Sequence, residues 1–288
     1  MNRIQEFFDK ATSTLTYLVW DEASRDAVVI DPVLDYDPAA AVVSEESLHA
    51  VSARLEQERL KLHWILETHA HADHLSGSQA LKRRYPNASV AIGEGITTVQ
   101  KAFKSVFDLP EAFPTDGRQF DRLLRNREKF PAGTLVIEVL FTPGHTPACV
   151  SYRIDDTVFT GDALFMPDYG VGRCDFPGGS AAALYDSITR VLYQLPDNTR
   201  VFTGHDYQPG GRALRFESTI GEEKRANVQL KAEVSQEQFV AFRQDRDNSL
   251  GAPRLLLPSV QINIDAGHLP PTRSNGRRYL SVPISSKP

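Results

Sequence analysis

Thr68-His69-Ala70-His71-Ala72-Asp73-His74 follows an apolar run, residues 62–67, and precedes a short segment of helical character, residues 77–85, stopped by Pro86. Three histidines and an aspartate therefore stand where a strand gives way to a helix. His69 and His71 are two apart in extended chain, so their side chains can point the same way, and Asp73 and His74 follow as the chain turns. Such a cluster is costly to keep without a partner. Neutral imidazole nitrogens together with carboxylates suit a first-row metal ion.

Outward from this stretch the pattern alternates. Residues 15–20 and 27–30 read as strands joined across Asp21-Glu22-Ala23-Ser24. Residues 44–60 place Leu48, Val51 and Leu55 at helical spacing, with Ser44 as the cap. Residues 89–92 read as a strand and 97–107 as a helix. A polar stretch, 115–129, then precedes three strands at 135–141, 149–154 and 158–160. Two of these run into Thr142-Pro143-Gly144-His145-Thr146 and Gly161-Asp162. The clearest helix is 180–195, where Leu184, Ile188, Val191, Leu192 and Leu195 form one stripe between Ser180 and Pro196. A strand at 201–203 delivers Gly204-His205-Asp206-Tyr207, and 239–247 forms a last helix. Each polar motif thus sits at a strand end, which collects the polar residues along one edge of a sheet sandwich.

The full chain of 288 residues has 32 basic and 37 acidic side chains, a net charge of -5, and is 41% hydrophobic and 24% charged. This composition excludes collagenous, coiled-coil and disordered classes, and the mild acidity argues against a nucleic-acid binder. Residues 1–14 lack the charged-then-apolar pattern of a secretory signal, and no apolar run nears the roughly 18 residues that span a bilayer. The expectation is a cytoplasmic protein with no membrane partner, whose two cysteines, Cys149 and Cys174, are reduced. Residues 1–250 read as one domain. Residues 251–288 carry Pro253, Pro258, Pro270, Pro271 and Pro283 and read as an extended tail packed on it through the apolar runs 255–257 and 260–264. His49, His63 and His268 stand without partners and read as surface or structural residues.

The motifs His69-Ala-His71-Ala-Asp73-His74, Gly144-His145-Thr146, Gly161-Asp162 and Gly204-His205, in this order, resemble the metallo-β-lactamase superfamily. That resemblance implies an α+β fold, the αββα sandwich, with a metal site along one edge of the paired sheets. Gly161-Asp162-Ala163-Leu164-Phe165, Gly172-Arg173-Cys174-Asp175-Phe176, 184–188 and His205-Asp206-Tyr207 are further similar to glutathione-dependent persulfide dioxygenases, in particular a bacterial β-lactamase-like branch. Pro147-Ala148-Cys149, where related chains often carry a glycine, departs from the pattern and alters loop shape.

The resemblance implies one Fe(II) per chain held by His69, His145 and Asp162, with His71, Asp73, His74 and His205 as outer neighbours or as ligands of a second metal. A 2-His-1-carboxylate set leaves positions open for substrate sulfur and O₂. The implied substrates are glutathione persulfide and O₂, and a homodimer is an open assembly. Arg173 is then placed to pair with a substrate carboxylate, Asp175 with an ammonium group and Tyr207 with a polar group; for Arg173 the competing role is an internal ion pair with Asp175. Arg212, Arg215 and Lys224 are further cations without a spacing argument, and Cys174 is a buried spectator. Two other functions compete: a binuclear thioester hydrolase of the glyoxalase II type, with Asp162 bridging, and a non-catalytic metal or sulfur sensor on the same fold.

Overall fold

The computed structural model describes residues 2–284, so the last four residues of the tail, 285–288, lie outside the described range. The alternation read from the sequence builds two six-stranded sheets. The first runs in the order Asn2–Asp9, Thr14–Asp21, Asp26–Ile30, Lys61–Leu66, Ser89–Gly93 and Arg122–Leu124, antiparallel through its first three strands and parallel beyond. The second runs Lys129–Ala132, Leu135–Phe141, Val150–Ile154, Thr157–Phe159, Arg200–Phe202 and Glu217–Thr219, antiparallel except where Thr157–Phe159 meets Arg200–Phe202.

Between the sheets lies a layer of inward-facing side chains including Leu15, Tyr17, Val28, Ile30, Phe130, Val139, Tyr152, Phe159 and Phe202. Alternation explains the choice. Tyr17 and Val19 face this layer, while Leu18 and Trp20 face the opposite side of the same sheet, toward Leu48, Val51 and Leu55 of the helix Glu46–Gln57. The other sheet is covered by the helix Ala181–Arg190, whose Leu184 and Ile188 pack with Val201, Ile220 and Phe239. The result is an αββα sandwich with both outer faces shielded.

Local structure departs from the sequence reading in specific places. Ser44 does not cap the first helix: it ends the short strand Val42–Ser44, and Glu45 stands at the cap position without a side-chain bond. Ser180 does cap Ala181–Arg190, accepting from the Ala183 amide, but the helix breaks at Val191 and continues as a single tight turn, Leu192–Gln194. The polar stretch before residue 129 contributes the edge strand Arg122–Leu124, too short to show an alternating pattern. The tail is not extended throughout. Leu256–Asn263 is an α-helix, in which Pro258 falls within the first turn, where its missing N–H costs no hydrogen bond. Its Val260 and Ile262 are buried among Ala70, Ala72 and Leu75, directly beneath the histidine-rich loop.

Two glycines permit the strand ends to converge. Gly144 has φ 142° and its missing Cβ would lie 2.4 Å from the Leu184 backbone, and Gly161, with φ 49°, would press on Thr68 Oγ1 at 2.5 Å. Tyr17 secures the strand end that delivers His205: its ring packs edge-on against Phe202 and its hydroxyl donates to the Thr203 carbonyl at 2.6 Å. Tyr17→Phe leaves that carbonyl buried without a donor, and the urea midpoint should fall by the equivalent of about 1–3 kcal/mol; an unchanged midpoint would mean the bond carries no net stability.

Candidate metal centre

Five strand ends deliver the polar residues to one edge of the sandwich. Lys61–Leu66 leads to His69, His71, Asp73 and His74; Leu135–Phe141 leads to His145; Thr157–Phe159 to Asp162; and Arg200–Phe202 to His205. The fifth, Asp26–Ile30, leads to Asp31, a residue that no motif in the sequence singles out. Asp31 takes φ 50° and its carboxylate accepts from the Thr68 amide at 2.7 Å, the Thr68 hydroxyl at 2.8 Å and His71 Nε2 at 3.1 Å.

Hydrogen bonds at the outer nitrogens settle which atoms face inward. The Thr68 hydroxyl donates to Asp31, so at 3.0 Å it accepts from His69 Nδ1–H. His145 Nδ1–H donates to the Arg173 carbonyl at 2.7 Å, and His205 Nδ1–H to the Ser13 carbonyl at 3.2 Å. Each ring is thereby left with a lone pair on Nε2. Those lone pairs point at a carboxylate: Asp162 Oδ2 lies 4.0 Å from His69 Nε2 and 3.6 Å from His145 Nε2, and Asp162 Oδ1 lies 3.3 Å from His205 Nε2. Acceptors are aimed at acceptors.

All four of these residues are buried. His69 Nε2, His205 Nε2 and Asp162 Oδ1 have no hydrogen-bond partner, and neither do Asp73 Oδ2, His74 Nε2 and His71 Nδ1. A buried polar atom left unmatched costs about 1–3 kcal/mol. For His69 a proton is no remedy, because burial and the neighbouring imidazoles of His71 and His145 push its pKa well down. His205 is pulled the other way: burial opposes its charge, but Asp73 and Asp162 outweigh that and raise its pKa. Divalent cations would satisfy these atoms, and the donor types fit them.

The residues fall into two groups whose ligand atoms lie within 4.8 Å of one another: His69, His145 and Asp162, and His71, Asp73, His74 and His205. Asp162 faces both. A third group, Asp31, Glu67 and His71, underlies them and is held from below: Glu67 accepts from the hydroxyls of Ser76 and Ser78. There burial again opposes charge, but Asp31 and Glu67 hold the His71 pKa well above its ordinary value.

A cavity of about 340 Å³ opens above His145 and Asp162. Phe165, Tyr169 and Tyr207 form one wall, and the Tyr207 ring lies nearly parallel to His205, 15° between planes. Arg173, Arg246 and Arg254 line the rim. Of the two roles weighed for Arg173, the structure shows the internal ion pair: its guanidinium is engaged by Asp175 through two 2.6 Å bonds, while its backbone carbonyl orients His145. Asp175 lines a separate surface recess with Cys174 and is engaged by Arg173. Arg212, Arg215 and Lys224 likewise pair with Asp168 and Asp206, Glu222, and Asp197. Arg246 and Arg254, not anticipated from sequence, make no ion pair among the described residues. Burial pushes both the Cys149 and Cys174 thiols up to about 12, which keeps them as neutral thiols near neutral pH.

Residues 9–205 match the Metallo-beta-lactamase superfamily. The chain belongs to this superfamily. Among relatives, this metallo-β-lactamase-fold chain is 45% identical to "Glyoxylase B2" of Dictyostelium discoideum over 98% of its own length and 97% of that protein. It is 31% identical to the mitochondrial persulfide dioxygenase ETHE1 of Homo sapiens, over 93% of this chain and 90% of that one. The crystal structure of ETHE1 from Myxococcus xanthus superposes on 92% of this chain and all of that one with TM-score 0.73 and 36% identity.

Thr68 links Asp31 to His69, so Thr68→Val frees the His69 ring to reorient. Metal affinity should fall about 10–100-fold, the usual effect of losing an outer hydrogen bond to a ligand; competition with a chromophoric chelator measures it, and wild-type affinity would show the link to be dispensable.

Proposed function

We propose that this metallo-β-lactamase-fold chain is a persulfide dioxygenase that holds one Fe(II) through His69, His145 and Asp162 and oxidises the outer sulfur of glutathione persulfide with O₂ to sulfite, releasing glutathione. The observation that carries the reading is the buried set of three converging acceptors, two imidazole nitrogens and one carboxylate, open on one side to a cavity with a basic rim. Similarity to ETHE1 proteins, over nine-tenths of the chain, supports the same reading.

Bound iron supplies a point at which sulfur and O₂ meet as neighbours rather than by collision. The remaining chemistry falls to the chain. His145 is fixed by the Arg173 carbonyl and His69 by Thr68, so the two imidazoles keep their orientation through turnover. Phe165, Tyr169 and Tyr207 exclude water from one side of the cavity. The tripeptide carboxylates need cations despite the net charge of -5, and Arg246 and Arg254, which no described carboxylate neutralises, meet that need at the rim. No side-chain nucleophile takes part. The cytoplasm is its place, residues 251–284 belong to the same domain as residues 2–250, and no described helix is long and apolar enough to cross a membrane.

A second reading is favoured by one observation: the buried His71, His74 and His205, with the half-buried Asp73, form a complete group of their own, and Asp162 Oδ1 faces it. That geometry suits a binuclear thioester hydrolase of the glyoxalase II type, in which the second group holds a metal, and the similarity to a protein named Glyoxylase B2 points the same way.

Metal analysis of anaerobically prepared protein separates the two. The dioxygenase reading expects about one iron per chain, lost in His145→Ala and retained in His205→Ala; two tightly held metals, one lost on His205→Ala, would overturn it. Activity gives an independent check, since iron-loaded protein should consume O₂ and form sulfite from glutathione persulfide while hydrolysing S-lactoylglutathione slowly. Removing either rim cation, by Arg246→Ala or Arg254→Ala, deletes a charge-assisted bond of about 1.5–3 kcal/mol, so kcat/KM for the persulfide should drop roughly 10–100-fold with iron content unchanged.

A further inference from the structure

The loop that carries His71, Asp73 and His74 has no secondary structure of its own between the strand Lys61–Leu66 and the two-residue strand Leu75–Ser76. Its carbonyls and amides therefore need partners from elsewhere. Two of its carbonyls and the Ser76 amide just beyond it find the same side chain. Asn263, 3% exposed at the end of the helix Leu256–Asn263, donates from Nδ2 to the carbonyls of His71 and His74, both at 2.8 Å, and accepts from the Ser76 amide through Oδ1 at 2.7 Å. Both amide protons and the carbonyl oxygen are used. Only a primary amide matches this donor–donor–acceptor demand at one point.

We propose that Asn263 is a positioning residue for the metal centre, acting through the backbone of residues 71–76 rather than by touching metal or substrate. The inference rests on the reading that the strand-end cluster holds metal. Its two donated bonds bracket Asp73 and fix the carbonyls on either side of it, so the directions of His71, Asp73 and His74 depend on a residue outside the 9–205 segment that matches the superfamily. Apolar burial of Val260, Ile262 and Ile264 seats the helix, and Gln100, donating to the Ile264 carbonyl at 2.8 Å, pins the turn beyond it. Adhesion and alignment are thus carried by different side chains. Substituting the apolar ones loosens the helix; substituting Asn263 misaligns His71, Asp73 and His74, which border the His69, His145 and Asp162 set and form the second group.

The test compares Asn263→Ala with Ile262→Ala, a cavity-forming change on the same helix that leaves the three hydrogen bonds in place. The probe is Co²⁺ alone, read by its visible d–d spectrum and by competition with a chelator, well below the melting temperature of each variant. Asn263→Ala should bind Co²⁺ about 10–100-fold more weakly with an altered spectrum, whereas Ile262→Ala should melt earlier yet bind and absorb as wild type. Should Asn263→Ala not fold, Asn263→Asp, which keeps the volume and the acceptor for Ser76 but sets an oxygen against the two carbonyls, is read the same way. Wild-type affinity and spectrum in the Asn263 variant, or an equal loss in both variants, overturns the proposal while leaving the metal centre standing. Failure of the wild-type protein to bind Co²⁺ overturns the metal-centre reading as well.

Discussion

The Asp162 carboxylate, buried between the lone pairs of His69, His145 and His205, is the constraint around which the edge of this sandwich is organised. Like dipoles held a few ångströms apart in a poorly polarisable interior repel strongly. They stay there because the scaffold leaves them no alternative: each ring is tethered on its far side, to Thr68, the Arg173 carbonyl or the Ser13 carbonyl, and each tether belongs to a different part of the chain. The interior layer around Tyr17, Phe159 and Phe202 provides the rigidity that such an arrangement demands. Core and site are in this sense one object, with packing free energy holding an unfavourable constellation ready for a cation.

Much of this arrangement is legible in the amino-acid sequence. The central strands and the helix Ala181–Arg190 announce themselves through alternation and a leucine-rich stripe, and the metal-site residues through polar motifs placed directly after apolar runs. Some elements escape, among them the strands Asn2–Asp9, in which only Ile4 and Phe8 join the layer between the sheets, and Val33–Asp37, and others are too short to show a period. Arg122–Leu124 and Glu217–Thr219 are three-residue edge strands that exist because a neighbouring strand offers free hydrogen-bonding groups. Leu256–Asn263 is hidden by Pro258, which reads as a helix breaker unless its place in the first turn is known.

The same logic separates the site residues that sequence exposes from those it conceals. His69, His71, Asp73, His74, His145, Asp162 and His205 are conspicuous by type. Asp31, Glu67 and Asn263 are ordinary polar residues whose importance lies in where their atoms end up; Asp31-Pro32 after an apolar strand is the nearest thing to a cue. Charged residues mislead most. Arg173 and Asp175, close neighbours in sequence, pair with one another, and the cations left free at the cavity come from the helix Gln236–Asn248 and the loop after it, much further along the chain.

The amide of Asn263 reaches back 192 residues to His71. During synthesis the histidine loop therefore leaves the ribosome before this support exists, with the second sheet and the helices on its outer face still to be laid down. A loop braced by residue 263 lacks that brace on any nascent fragment that stops before it. Alignment of the 71–76 loop by Asn263 is in this way made conditional on the chain having been translated through residue 263.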